Sequence, residues 1–151
     1  MSEIERLTGD KNEKGLTIAY CRVSTKKQEE NLERQVGRVL ERCSKEGWGT
    51  ELIKDIGSGL NENRKGFKKL LKMISEGKVQ RVVVEYKDRL MRFGLDTFLS
   101  YCSGFGTEVL ILQDQKEKVF EEELAEDMVA LVTSYSARLY GRRGGRSKHA
   151  K

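Results

Sequence analysis

Two periods of apolar spacing alternate along this chain. Leu16 to Val23 is a short apolar run rich in strand-formers, and the pattern turns polar at Ser24-Thr25. From Gln28 to Glu46, Leu32, Val36, Val39, Leu40 and Cys43 recur at helical spacing and give one buried stripe, which Gly47 ends. Glu51 to Asp55 reads as a second strand, and the run Gly57-Ser58-Gly59-Leu60-Asn61-Glu62-Asn63 is a loop by composition. A helix over Arg64 to Glu76 carries Phe67, Leu70, Leu71 and Ile74 on one face. Val79 to Glu85 is the most strand-like stretch. Its consecutive Val82, Val83 and Val84 suit a strand covered on both faces. Leu95 to Phe105 is a third helix, with Leu95, Phe98, Leu99 and Cys102 inward, and Glu108 to Leu112 a fourth strand. The last helix, Phe120 to Leu139, has Leu124, Met128, Leu131, Val132, Tyr135 and Leu139 as its expected core stripe. Ala125, Val129 and Tyr140 widen that surface beyond what one sheet face needs. The helix is therefore either deeply buried in the monomer or in contact with another subunit.

Strands that alternate with helices imply an α/β domain: a mostly parallel open sheet with helices on both faces, in three layers. Residues 15–140 form that domain. Residues 1–14 are a polar leader or linker, and residues 141–151 a basic flexible tail released through Gly141, Gly144 and Gly145.

Composition narrows the function classes. A chain of 151 residues, 37% hydrophobic and 35% charged, is the size of one domain with a real core. The net charge of +5 leans toward an anionic partner. No apolar run approaches the roughly 20 residues of a membrane span, so no membrane partner is expected. Cys21, Cys43 and Cys102 are odd in number and widely spaced, as expected of reduced thiols in a cytoplasmic protein. The single histidine, His149, lies in the tail, which leaves no Ser-His-Asp triad unless the tail folds back. No metal-ligand cluster and no cofactor motif is visible.

Parallel strands bring their carboxyl ends to one sheet edge, where open α/β sheets bind ligands. Strand one delivers Arg22 and Ser24, which point to the same side because side chains alternate. Strand two delivers Asp55, the Gly-Ser-Gly loop and Arg64. Strand three delivers Asp88, Arg89 and Arg92, with the two arginines on one face if a helical turn starts there. Several guanidiniums around one hydroxyl suit phosphoryl transfer without a metal. Fixed cations stabilise the charge on the non-bridging oxygens, and the planar fork of arginine grips two of them. Taken singly, each residue also has an ordinary role: Ser24-Thr25 as a helix cap, Asp88 and Arg92 as a helix ion pair, Arg64 as surface charge, Gln28 and Gln35 as plain helix residues.

In sequence, Tyr20-Cys21-Arg22-Val23-Ser24-Thr25-x-x-Gln28 resembles the signature of serine recombinases, the resolvase and invertase superfamily. Asp88-Arg89-Leu90-Met91-Arg92 is similar to its second signature, and Asp55 to Gly59 with Asn63 to Gly66 to a third. The likeness spans roughly Ile18 to Tyr140. Within it, the Gly-Leu-Asn-Glu-Asn-Arg-Lys-Gly, Asp-Arg-Leu-x-Arg-Phe-Gly and Ser-Ala-Arg-Leu-Tyr-Gly runs look closest to the serine transposases of small insertion sequences.

The resemblance implies a resolvase-like fold and a site-specific recombinase or transposase. Ser24 would attack a DNA phosphodiester to give a 5′-phosphoserine link and a 3′-hydroxyl. Arg22, Arg89 and Arg92 would bind the scissile phosphate with help from Arg64. Asp88 would orient arginines or handle a proton, Gln35 would place the phosphate or the serine, and Asp55 would hold the arginine network. It implies double-stranded DNA as partner, and homodimers and tetramers joined through the 120–140 helix. Arg138, Arg142, Arg143 and Arg146 are left for DNA phosphates. Members of that branch carry a DNA-binding domain ahead of the catalytic one. Residues 1–14 are too short to be one, so a catalytic fragment or truncated product is expected. Two rivals stand beside this reading. One is a metal-dependent nuclease or transposase built on Asp55, Asp88 and Asp114. The other is a non-catalytic DNA-binding or assembly module with the same fold.

Overall fold

The computed structural model describes residues 15–61, 63–114 and 117–150, with side chains of the last helix over 119–139. Four parallel strands, β1 (Leu16–Val23), β2 (Thr50–Ile56), β3 (Val79–Val84) and β4 (Glu108–Ile111), stand in the order β2-β1-β3-β4. The helices between them are α1 (Glu29–Glu46), α2 (Lys65–Ser75) and α3 (Leu95–Gly104); α4 (Glu117–Ala150) ends the chain. The α/β class and the alternation read from the sequence are borne out.

Strand alternation sorts the core into two layers. Ile18 and Tyr20 of β1 join Val82 and Val84 of β3 against Phe67, Leu70 and Ile74 of α2 and Phe98 and Cys102 of α3. Ala19, Cys21 and Val23 join Val83 against Leu32, Val36, Val39 and Cys43 of α1. The valine triplet of β3 is buried on both faces, as a central strand requires. The cysteines are free and buried, and burial raises the Cys21 thiol to about 12. Among the described residues no helix is long and apolar enough to cross a membrane.

Short 3-10 turns, Lys26–Gln28 after β1 and Lys87–Arg89 after β3, fill the segments between strand and helix, the second of them where a helical turn brings Asp88 and Arg89 to the sheet edge. A correction concerns α4. Its expected core stripe is largely outside: Met128, Val132, Tyr135 and Leu139 are exposed, and so is Val129. Asp127 is the one side chain of its described stretch that is buried. The helix also continues to Ala150, past the Leu139 end and through the glycines expected to release a tail. A glycine lowers helix propensity by about 1 kcal/mol without by itself ending a helix. The leader, residues 1–14, lies outside the described residues.

Candidate active site

Arg22 organises the sheet edge. It is fully buried, and its guanidinium donates to the carbonyls of Arg89 (Nε, 3.2 Å), Gly57 (2.8 Å) and Asp88 (2.7 Å). The loops after β2 and β3 are thereby tied to the end of β1. Ser24, two residues on and on the same side of the strand, lies 3.5 Å from the Arg22 guanidinium and is 5% exposed. Its backbone N–H donates to Gln28 Oε1 at 3.0 Å, which fixes the turn that presents the hydroxyl.

A carboxylate from α4 enters this centre. Asp127 accepts hydrogen bonds from the Ser24 hydroxyl, from Arg22 (3.0 and 3.4 Å) and from Arg92 Nε (2.7 Å). Burial pushes the Asp127 carboxyl up, but Arg22 and the hydrogen bonds from Ser24, Arg22 and Arg92 outweigh it and hold the group below its ordinary range. Arg92 also lies 2.7 Å from Asp88, and Arg89 donates to Glu123 at 2.9 Å. The Asp88 carboxyl is raised, because burial outweighs the nearby Arg92 and Arg89. The buried Arg89 Nε has no hydrogen-bond acceptor, and the terminal nitrogens of Arg92 meet Asp88 and Glu123 as ion pairs without a well-formed hydrogen bond. Gly59 passes close by: a Cβ there would meet Arg22 at 2.9 Å and Asp127 at 3.1 Å.

The arrangement is an oxyanion cradle with an alcohol in its wall. Residues 17–151 match the family model "Resolvase, N terminal domain". The chain belongs to the resolvase family of serine recombinases. The recombinase domain is 40% identical over 146 residues to "Putative resolvase L103" of Acanthamoeba polyphaga mimivirus, covering 94% of this chain and 72% of that one. Among solved structures it is similar to the C-terminal catalytic domain of ISC1926 TnpA, an IS607-like serine recombinase. That likeness has a TM-score of 0.72 and 36% identity, over 85% of this chain and 88% of the other. It also resembles a serine recombinase from Sulfolobus solfataricus, with a TM-score of 0.68 and 43% identity, over 84% and 86% of the two chains.

The recombinase domain brings Ser24, Arg22, Asp88, Arg89 and Arg92 together. Gln35 borders the cleft beside Ser24 and Arg89, and its amide accepts from the Arg22 N–H at 3.0 Å and donates to the Arg22 carbonyl at 3.1 Å. Asp55 does not touch the arginines directly. It accepts from the N–H groups of Gly66 (2.8 Å) and Phe67 (2.9 Å), where a carboxylate satisfies the orphan donors of the α2 N-terminus, and from Tyr20 at 2.5 Å. Arg64 reaches Tyr20 at 2.7 Å and donates to the carbonyls of Asn61 (2.8 Å), Arg89 (3.4 Å) and Leu90, so it binds loops together. Arg138 is exposed, its guanidinium 5.7 Å from the Tyr135 ring. The side chains of Arg142, Arg143 and Arg146 lie outside the described residues.

The metal-site rival finds no ligand set. Asp55 is committed to α2 and Tyr20, Asp88 to Arg92, and Asp114 is exposed. Among the described residues no group of three such side chains gathers.

Sequence reasoning missed Asp127 as a site residue, and it named Tyr20 and Gln28 only as parts of a motif, without a role. For Asp127 a signal existed: Glu123 and Asp127 are spaced i, i+4 on the side of α4 away from Met128, Val129 and Val132.

Proposed function

We propose that the domain cuts and rejoins double-stranded DNA through Ser24. The serine Oγ attacks the phosphorus of a backbone phosphodiester, the bond to the 3′ oxygen breaks, and the serine proton ends on the released 3′-hydroxyl. The protein is left esterified to the 5′-phosphate. Conserving the bond energy in that ester allows rejoining by the reverse displacement, with no ATP. Arg22 and Arg92 grip the non-bridging oxygens, and Arg89 adds a third cation beside them. Asp88 is the partner that aims Arg92. Gln35, Asp55, Tyr20 and Arg64 are positioning residues for the strand ends and loops.

The observation that carries this reading is the Asp127 carboxylate itself. Its oxygens mark where an oxyanion is held by Arg22 and Arg92 within hydrogen-bond reach of the Ser24 hydroxyl. The exposed row of Met128, Val129, Val132 and Tyr135 on α4 supports pairing with a second copy, and two such pairs would form a tetramer. Arg138 supports contact with DNA phosphates near that helix. The reaction belongs in the cytoplasm, with free thiols and chromosomal or mobile DNA.

The test is incubation with nicked suicide duplexes carrying family-like sites, in EDTA. Wild-type protein is expected to form a covalent protein–DNA adduct that Ser24→Ala abolishes. An adduct that persists in Ser24→Ala, or one that needs a divalent metal, would overturn the assignment.

A further inference from the structure

One internal carboxylate gathers the nucleophile and the two arginines beside it. Asp127 takes the Ser24 hydroxyl, both terminal nitrogens of Arg22 and Nε of Arg92. A carboxylate and a phosphate are alternative ligands for the same guanidinium forks. We propose that Asp127 is a built-in competitor for the scissile phosphate, so that DNA enters the site only when this part of α4 lifts away. The proposal rests on the assignment of the site to phosphate chemistry.

Three further features support a removable plug. The helix separates two clefts, of about 180 and 390 Å³, and Ser24 borders both. Lifting α4 would join them into one groove across the strand ends. The hold of α4 on the domain is largely polar: Asp127 is its buried side chain, Glu123 pairs with Arg89, and Glu126 accepts from Gln28 at 2.7 Å. Met128, Val129 and Val132 of this stretch face outward and Leu124 and Leu131 are only half-buried, so departure exposes limited new apolar surface. An arriving phosphate restores the charge pairing that Asp127 gives up.

A general base would be the rival role for a carboxylate on the serine hydroxyl. Such a base works best with a pKa near the working pH. Asp127 is held below its ordinary range by the arginines that grip it. In this position it also fills the space the phosphate needs.

The experiment measures binding of inorganic phosphate by calorimetry to wild type, Asp127→Asn and Glu121→Gln, with adduct formation on the suicide duplex in parallel. Glu121 is exposed on the same helix and controls for charge alone. If the free site is only a minor population, apparent affinity is reduced by that fraction. Asp127→Asn should then bind phosphate at least about tenfold tighter than wild type, with Glu121→Gln unchanged. Equal phosphate affinity in wild type and Asp127→Asn overturns the plug, whatever happens to the adduct. Loss of the adduct in Asp127→Asn with unchanged phosphate affinity would make Asp127 the base. Tighter phosphate binding with no adduct in any variant keeps the plug and sinks the serine chemistry instead. Should Asp127→Asn fail to fold, hydrogen exchange of the wild type decides. Amides of residues 121–132 should exchange faster on adding phosphate, and unchanged or slower exchange overturns the proposal.

Discussion

Gln35→Leu separates a residue that supports the strand from one that touches substrate. The pairing of β1 with β3 runs only to Ala19, whereas its pairing with β2 continues to Val23. At Arg22 the Gln35 amide serves the backbone N–H and C=O together, at 3.0 and 3.1 Å, in the role a strand would otherwise play. Both residues are buried. Leucine nearly matches glutamine in volume, so the change opens little cavity and isolates the polar loss. Leaving a buried backbone group unsatisfied costs about 1–3 kcal/mol. With two groups affected and some relaxation, destabilisation of about 2–4 kcal/mol is expected. That is a fall in thermal midpoint of roughly 5–15 °C for a domain of this size. Gln35→Glu would bury a carboxylate against the Arg22 carbonyl, so it should be no more stable than Gln35→Leu at neutral pH. Urea and thermal unfolding give the magnitudes, and suicide-duplex adduct formation below the midpoint gives activity. A Gln35→Leu variant as stable as wild type yet unable to form the adduct would refute the reasoning and return Gln35 to the phosphate.

Gly59→Ala would put a Cβ 2.9 Å from Arg22 and 3.1 Å from Asp127; a loss of about 1–3 kcal/mol is expected by thermal unfolding, as for overpacking elsewhere. Met128→Glu, at a side chain 53% exposed, should change unfolding by less than about 0.5 kcal/mol while shifting sedimentation toward monomer; unaltered self-association would discount this face of α4. For pH, Asp127 has a lowered folded pKa, so its contribution is present above the ordinary value of 3.8 and lost as pH falls through the folded value. Asp88 is raised, so its contribution has the opposite sign and fades as pH rises through its folded value. Asp127→Asn should therefore flatten the acid limb of stability, read from urea midpoints between about pH 2.5 and 6, and an unchanged limb would contradict the burial and pairing of Asp127.

Most of the fold was legible because local patterns and tertiary packing agree here. The stripe of Leu32, Val36, Val39 and Cys43 does pack on one sheet face, and the valines of β3 are covered on both. The inner residues of the site were legible too, since strand alternation and parallel pairing place Arg22, Ser24 and the Asp88–Arg92 turn at one edge whatever the details. What periodicity does not encode is which face of an amphipathic helix meets its own domain. In α4 the polar face docks, because the site offers buried cations that only carboxylates can satisfy, and the apolar face is left outside. Gln35, Asp55 and Arg64 were found, but not the groups they bond to. Backbone acceptors and donors, invisible in a string of side chains, claim them first.

The guanidinium of Arg22 has a consequence for how the site can change. It fastens the chain at Asp88, Arg89 and Gly57 while also facing the nucleophile. Chemistry and architecture share one side chain, so neither can drift alone. An inactive Arg22 variant would speak as much to slack loops as to a missing cation. Lineages that abandon cleavage would still be expected to keep this arginine.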